Sequence, residues 1–205
     1  MKIGILGGSF DPPHVGHILL AQQVLELTKI DQVWLMPNYT TTTHHKIFHK
    51  RMSSPEHRLA MVKLLENKHI KASDFEIKHN QKSITITTLE TLSQKYPQHE
   101  FYWITGSDKL VTFYLYDDWK NIVLKHRLII FPREQTLEDL EKLIKHSLHL
   151  KTIPKNVIVL HNKNLVVTNI SSSIVRERVK KGLSIDLLVD SKIENYIKKH
   201  KLYEK

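Results

Sequence analysis

The first 37 residues run strand, break, helix, strand, and few folds can follow from that order. Lys2–Leu6 is a short apolar strand. It breaks into GGSFDPPHVGH, Gly7 to His17, where two glycines, an aspartate, two prolines and two histidines stand together. The spacing of Ile18, Leu19, Ala21, Val24, Leu25 and Leu27 gives one buried stripe of a helix from about Val15 to Leu27. Val33–Met36 is the second strand, stopped by Pro37-Asn38. A strand–helix–strand unit this tight implies a parallel sheet with a right-handed crossover.

The same alternation continues to the end of the chain. Asn38–Ser53 is polar and irregular, with four threonines and His44, His45 and His49, and reads as a loop near a site or a mobile lid. Ser54-Pro55-Glu56 opens a helix with an N-cap, a proline at the first helical position and an acid in the first turn. Strands are expected at Ala72–Lys78, Phe101–Thr105, Arg127–Phe131, Asn156–Leu160 and Leu165–Ile170. Helices are expected at Thr87–Lys95, Leu137–His149, Ser172–Lys181 with Gly182 as its C-cap, and Asp190–Lys199. The expectation is an α/β protein with a Rossmann-like, doubly wound parallel sheet and helices on both faces. It would be one nucleotide-site domain over residues 1–205, with a small C-terminal helical part from about 171 to 205.

Composition adds limits. The chain has 205 residues, enough for one full core, and no cysteine, which excludes disulfides and thiolate metal sites. The MKIGIL start is too short and too soon broken to be a signal peptide, and no apolar run approaches a membrane span, so a cytoplasmic setting is expected. The 31 basic against 21 acidic residues, a net +10, favour anionic partners. The lysines are spread out, and no zinc-finger spacing or RNA-binding aromatic motif accompanies them, so nucleic acid is not the expected partner. His44, His45 and His49 have no carboxylate at ligand spacing, and no metal site is expected there.

Ligands of an open α/β sheet bind beyond the carboxyl ends of its strands. Three strand ends here carry unusual residues. In Gly7–His17, the glycines let backbone approach a phosphate, and His14 and His17, three apart, share one face of a helical first turn. Neither a Walker A loop nor G-x-G-x-x-G is present. At Gly106-Ser107-Asp108 a carboxylate stands where it could meet a ribose or a metal-bound water. At Ile170-Ser171-Ser172-Ser173, serines open a helix whose next turn carries Arg176. Each stretch alone also has a structural reading: turn punctuation, an N-cap aspartate, capping serines with a surface arginine. Their joint occurrence at junctions of one sheet favours a site.

At these residues the chain resembles a known family. GGSFDPPHVGH is similar to the G-x-F-D-P-x-H-x-G-H signature of the HxGH nucleotidyltransferases, and ISSSIVRERV to their second signature, I-S-S-T-x-I-R. Within that superfamily the resemblance is to the bacterial nicotinate-nucleotide adenylyltransferases. His45-Lys46, the helix Pro55–Met61, Ser83–Glu90 (SITITTLE), Gly106–Trp119 and the ending Val189–Tyr203 resemble further segments of that branch. The chain departs at Ile84, where tyrosine is usual, at Thr87, where aspartate is usual, and at Tyr116, where tryptophan is usual.

The resemblance implies adenylyl transfer from ATP to nicotinate mononucleotide, with Mg²⁺ accompanying ATP. His17, His14 and Arg176 would be the catalytic residues. Gly7, Gly8, Ser9, Phe10, His14, Gly16, His17, Lys46, Gly106, Asp108, Ile170, Ser172, Ser173 and Arg176 would bind ATP. Ser9, Phe10, Lys46, Thr85, Asp108, Tyr116 and Trp119 would line the acceptor pocket. The departures lie on the acceptor side, so nicotinamide mononucleotide is the rival acceptor; phosphopantetheine is the other, and the SITITTLE and long tail matches argue against it. A non-catalytic nucleotide- or RNA-binding protein is the rival from another class, and a homo-oligomer is left open.

Overall fold

A computed structural model of the protein describes residues 1–39, 52–79, 83–133 and 136–204. Its frame is a parallel sheet of six strands in the order β3-β2-β1-β4-β5-β6. The strands are β1 (Lys2–Gly8), β2 (Gln32–Pro37), β3 (Ile70–Ala72), β4 (Glu100–Gly106), β5 (Arg127–Phe131) and β6 (Val157–Val159). The chain winds outward from β1 to β3, then returns to β4 on the other side of β1. The strand order therefore reverses between β1 and β4, and their carboxyl ends, Gly8 and Gly106, flank the crevice where such sheets take ligands.

Helices cover both faces: α1 (Val15–Leu27), α2 (Pro55–Lys63), α3 (Phe75–Lys78), α4 (Thr85–Lys95), α5 (Trp119–Lys125), α6 (Leu137–Ser147), α7 (Ser172–Lys180) and α8 (Ser191–Lys199). A 3₁₀ segment, Ser107–Leu115, follows β4. One apolar cluster joins Ile3, Ile5, Met36, Leu89, Phe113 and Ile130 on one face of the sheet. A second joins Phe10, Ala21, Val24, Val33, Leu35 and Ile129 on the other. The alternation of Ile3 and Ile5 against Leu6, and of Met36 against Leu35, is the period of two that a two-faced sheet requires. A third cluster (Met61, Val175, Ile185, Val189, Ile193, Ile197) seats α7 and α8 on α2.

Most expected elements form, with ends shifted by a residue or two. Two do not. Ala72–Lys78 was expected as one strand, but the strand closes at Ala72 and Phe75–Lys78 turns into helix, with Asp74 and Lys78 paired across that turn at 3.0 Å. Leu165–Ile170 was expected as a strand and forms none. Its Val166 is held instead by one side chain: Gln23 Nε2 donates to Val166 O at 3.0 Å and Gln23 Oε1 accepts from Val166 N–H at 2.6 Å. That side-chain amide satisfies the backbone groups a neighbouring strand would have paired. α4 also begins two residues earlier than expected, at Thr85. Gly182 lies one residue beyond the α7 cap, at φ +65, the left-handed position that closes a helix at least cost.

Candidate active site

The break after β1 is held closed from several sides. Phe10 takes a left-handed conformation (φ 49), and its ring is buried against the His17 imidazole with centroids 4.8 Å apart. The Asp11–Pro12 peptide is cis. Arg58, the largest fully buried side chain, reaches from α2 to donate to Ser9 O (2.8 Å), Asn38 Oδ1 (3.1 Å), Tyr39 O (3.1 Å) and Ser53 O (3.1 Å). One guanidinium thus ties the β1 loop to the residues on both sides of segment 40–51. Lys46, His44, His45 and His49 lie outside the described residues.

His14 and His17 open α1 as expected, and they touch. Their rings lie 3.8 Å apart at 39°, and the His14 N–H donates to His17 Nδ1 at 3.1 Å. With Nδ1 accepting, the ring proton of neutral His17 sits on Nε2. His17 is therefore a neutral Nε2–H donor. Its pKa is pushed well below the ordinary histidine value, by burial first and then by His14 and Arg133. The His14 pKa is lowered to about 4 by burial and by the nearby Arg133. His14 Nδ1 is buried and has no hydrogen-bond partner, an exception among buried polar groups that marks a place for a ligand donor or water. Gly16 is needed beside it: a Cβ there would press to 3.0 Å on both His14 Nδ1 and the Thr168 methyl.

The second strand end lies beside the first. Asp108 receives Arg133 Nε at 3.3 Å and stands 3.8 Å from Lys109. Gly106 leaves room for it, because a Cβ there would fall on the Asp108 carboxylate. Arg133, just beyond β5, also donates its backbone N–H to Ser107 Oγ at 3.0 Å and its Nη1 to Thr168 O at 3.5 Å. It is the functional candidate missed in the sequence. The signal was available, since Arg133 follows the Arg127–Phe131 strand and Pro132, a third carboxyl end next to β4.

The second signature arrives from the far end of the chain. Ser171 caps α7, accepting from Ile174 N–H at 3.3 Å. Ser172 Oγ donates to Pro12 O at 2.8 Å, and Arg176 donates to Asp11 O at 2.5 Å and to Ser173 Oγ at 3.1 Å. The structure therefore brings the two signatures into contact across more than 150 residues of sequence. Ile170 precedes them, half-buried, its N–H on Thr168 Oγ1 at 3.2 Å.

The expected acceptor residues are less united. Tyr116 stacks on buried Phe113 with centroids 4.7 Å apart at 15°, and burial together with the Asp108 charge raises its phenol pKa. Trp119 faces elsewhere: it meets His149 at 5.9 Å and carries Lys120 Nζ over its ring at 5.8 Å. Of the two aromatic candidates, Tyr116 is the one beside Asp108. Thr85 starts α4, next to a buried network in which Thr88 Oγ1 donates to Glu76 Oε1 at 2.8 Å, while the Tyr39 N–H donates to Ser83 Oγ at 3.0 Å. Burial raises the Glu76 pKa, opposed by hydrogen bonds from Ser83 and Thr88. Hollows of about 380 and 360 Å³ lie at the amino ends of β1 and β4 and over β2 and β3, apart from these residues.

Among the described residues no cluster of three His, Cys, Asp or Glu could hold a metal ion, and no helix is long and apolar enough to cross a membrane. The arrangement can hold an anion: a neutral histidine pair at a helix start lies within the field of Arg133, and Arg176 is bonded to Asp11 of the same loop.

Comparison with known proteins places the chain in a family. The cytidylyltransferase-like family profile matches residues 5–178. A probable nicotinate-nucleotide adenylyltransferase of Shewanella pealeana is 35% identical, over 99% of this chain and 96% of its own length. One of Flavobacterium johnsoniae, named in the same words, is 34% identical over the full length of both. The fold matches Plasmodium falciparum nicotinic acid mononucleotide adenylyltransferase complexed with NaAD at a TM-score of 0.78 and 24% identity, covering 99% and 97% of the two chains. The chain belongs to the cytidylyltransferase-like family, among relatives named nicotinate-nucleotide adenylyltransferases.

Proposed function

We propose that the protein joins ATP to nicotinate mononucleotide, giving nicotinate adenine dinucleotide and pyrophosphate, as a step of NAD biosynthesis. The observation that carries the reading is the neutral His17, its Nε2–H free of the bond that occupies Nδ1, beside an orphaned His14 Nδ1 and within the field of Arg133. Full-length similarity to relatives named for this reaction supports it.

The acceptor's 5′-phosphate oxygen attacks the α-phosphorus of ATP in line. A new P–O bond forms as the bond to the β-phosphate oxygen breaks, and the electron pair leaves with pyrophosphate. The nucleophile is already anionic, so the protein's task is positioning and charge stabilisation rather than strong base catalysis. His17 Nε2–H donates to an α-phosphate oxygen, where charge develops. His14 and Arg133 hold the neighbouring phosphates, and Gly7, Gly8, Ser9 and Phe10 give backbone access to them. Ser172, Ser173 and Arg176, at the start of α7, hold the β- and γ-phosphates. Asp108 and Tyr116 belong to the acceptor side, with Thr85 at the α4 start. Mg²⁺, bound to the ATP oxygens, would neutralise the leaving pyrophosphate. The fit is to an ion carried by the nucleotide, since Asp108 is already engaged by Arg133 and Lys109 and no cluster of metal ligands forms among the described residues. Residues 1–205 act here as one domain, and an ATP-using chain without cysteine suits the cytoplasm.

The test is pyrophosphate release from ATP with nicotinate mononucleotide, nicotinamide mononucleotide and phosphopantetheine offered in turn. Release with the first at the highest kcat/KM is expected. Preference for nicotinamide mononucleotide moves the acceptor assignment, and silence with all three overturns the function.

A further inference from the structure

The C-terminal tail reaches back to the first signature. Asp11 is only 2% exposed. Its Oδ1 accepts from the Tyr203 hydroxyl at 2.7 Å and from the Ser53 N–H at 3.3 Å. Its Oδ2 stands 3.8 Å from Arg176 Nη1, while that same nitrogen donates to the Asp11 main-chain oxygen. Buried Arg58 adds its charge from the other side, acting on both Asp11 and Tyr203. A desolvated carboxylate therefore lies between two guanidiniums and is fastened by a phenol from the end of the chain.

That arrangement decides what Arg176 can do. An unrestrained carboxylate this close to an arginine closes to a forked pair at about 2.8 Å and fills its donors. Here Oδ1 is taken by Tyr203 and Ser53, and the carboxylate stays at 3.8 Å. Arg176 spends one donor on the Asp11 main-chain oxygen and one on Ser173, out of the five a guanidinium carries. Among the described residues the rest have no other partner and remain for an anion. The phenol stays protonated, because burial and then the Asp11 charge push its pKa far above the ordinary tyrosine value. Tyr203 is held in a left-handed backbone conformation (φ 67) and packs on the cluster of Met61, Val175 and Ile197. Strained backbone of this kind persists only where surrounding contacts fix it.

We propose that Tyr203 is a positioning residue for adenylyl transfer: its hydroxyl holds the Asp11 carboxylate off Arg176, so that the guanidinium stays aimed at the ATP phosphates. The proposal rests on the reading of Arg176 as a phosphate ligand.

The experiment is steady-state kinetics of Tyr203→Phe, which keeps the ring in its apolar seat. The KM for ATP is expected to rise about three- to tenfold, the scale of one hydrogen bond. The kcat, the KM for the nucleotide acceptor and the thermal midpoint are expected to stay near wild type. In an Asp11→Asn background there is no charge to restrain, so adding Tyr203→Phe is expected to change the ATP KM no further. The proposal is overturned if Tyr203→Phe leaves the ATP KM within twofold of wild type. It is equally overturned if kcat and both KM values move together with a lowered thermal midpoint, which is loss of packing alone. Arg176→Ala, run in parallel, separates the two levels: an unchanged ATP KM in that variant sinks the phosphate-ligand reading itself, whatever Tyr203 does.

Discussion

The His14 backbone N–H is bonded to His17 Nδ1 at 3.1 Å, and that one bond fixes which nitrogen of His17 can act. It closes the first turn of α1, replaces a conventional cap, and turns the Nε2–H outward. The Phe10 ring, packed at 4.8 Å, limits how the imidazole can rotate. A local helix-start device thereby sets the tautomer of the group proposed to meet the α-phosphate, while burial keeps the ring neutral.

His17→Ala removes that donor while leaving the rest of the cradle in place. Turnover is expected to fall about 10²-fold or more, the cost of losing one preorganised donor to developing charge. The ATP KM should change much less, because the contact is strongest in the transition state. Continuous pyrophosphate release measures both. Near-wild-type turnover in folded, purified protein would remove His17 from the mechanism.

Much of this was legible in the sequence, for a physical reason: the signatures are local. Gly7–His17 and Ile170–Arg176 carry their chemistry within one turn of helix, and the strand–helix–strand start fixes the sheet type. What was not legible depends on contacts distant in sequence. Nothing in Val166 announces that Gln23, 143 residues away, supplies its hydrogen bonds, so the stretch reads as a strand by composition. Ser73 and Asp74 turn the chain after β3, but the apolar residues on either side masked that stop. Arg133 reads as an ordinary surface residue, and Tyr203 only as the close of the Val189–Tyr203 ending, until the fold sets them against Asp108 and Asp11.

The two lowered histidine pKa values give a stability profile whose sign can be worked out. His14 titrates near 4 in the folded protein against about 6.5 unfolded, so between those values the unfolded chain binds more protons. The stability contributed by keeping His14 neutral is fully present above pH 6.5 and is lost as pH falls toward 4, about 3 kcal/mol in all. His17, lowered in the same direction, adds to the loss. Urea midpoints measured from pH 7.5 to 4.5 should fall, and the fall should be smaller in His14→Gln. A flat profile would mean these rings are not buried neutral.

ATP binding should reverse that shift. Phosphate charge beside His14, whose Nδ1 is unpartnered, favours its imidazolium while His17 stays the neutral donor, so binding near pH 6 is expected to take up protons and to tighten as pH is lowered toward 6. Calorimetry of ATP binding in buffers of different ionisation enthalpy reads the uptake directly. Zero or negative proton linkage would place the phosphates away from His14.

Arg58→Leu tests the tie between the β1 loop and the residues flanking segment 40–51. The substitution fills most of the volume but leaves Ser9 O, Tyr39 O, Ser53 O and Asn38 Oδ1 without their donor. It also leaves Asp11 without one of its two neighbouring cations. Unpaired buried acceptors cost about 1–3 kcal/mol each and are not additive, so a loss of about 3 kcal/mol is expected. That corresponds to a drop of about 6–12 °C in thermal midpoint for a chain of this size. A drop under 2 °C would show that water replaces the guanidinium without penalty.

Arg133→Ala separates two consequences of one charge. Arg133 is a cause of the lowered pKa of both histidines, and it is bonded to Asp108 at 3.3 Å. Without it, the His14 pKa should climb from about 4 toward the ordinary value, as followed by NMR titration of the ring. Burial remains the larger cause, so the climb is partial. At the same time a cation that meets the phosphates is gone, and kcat/KM for ATP should fall about 10- to 100-fold, the range for a hydrogen bond to a charged group. The two readouts move in opposite senses for ATP: a more basic His14 favours phosphate, while the lost guanidinium disfavours it. A fall in kcat/KM despite the raised pKa therefore assigns Arg133 a direct contact with the nucleotide. An unchanged kcat/KM with a raised pKa would leave it only the task of keeping the histidines neutral.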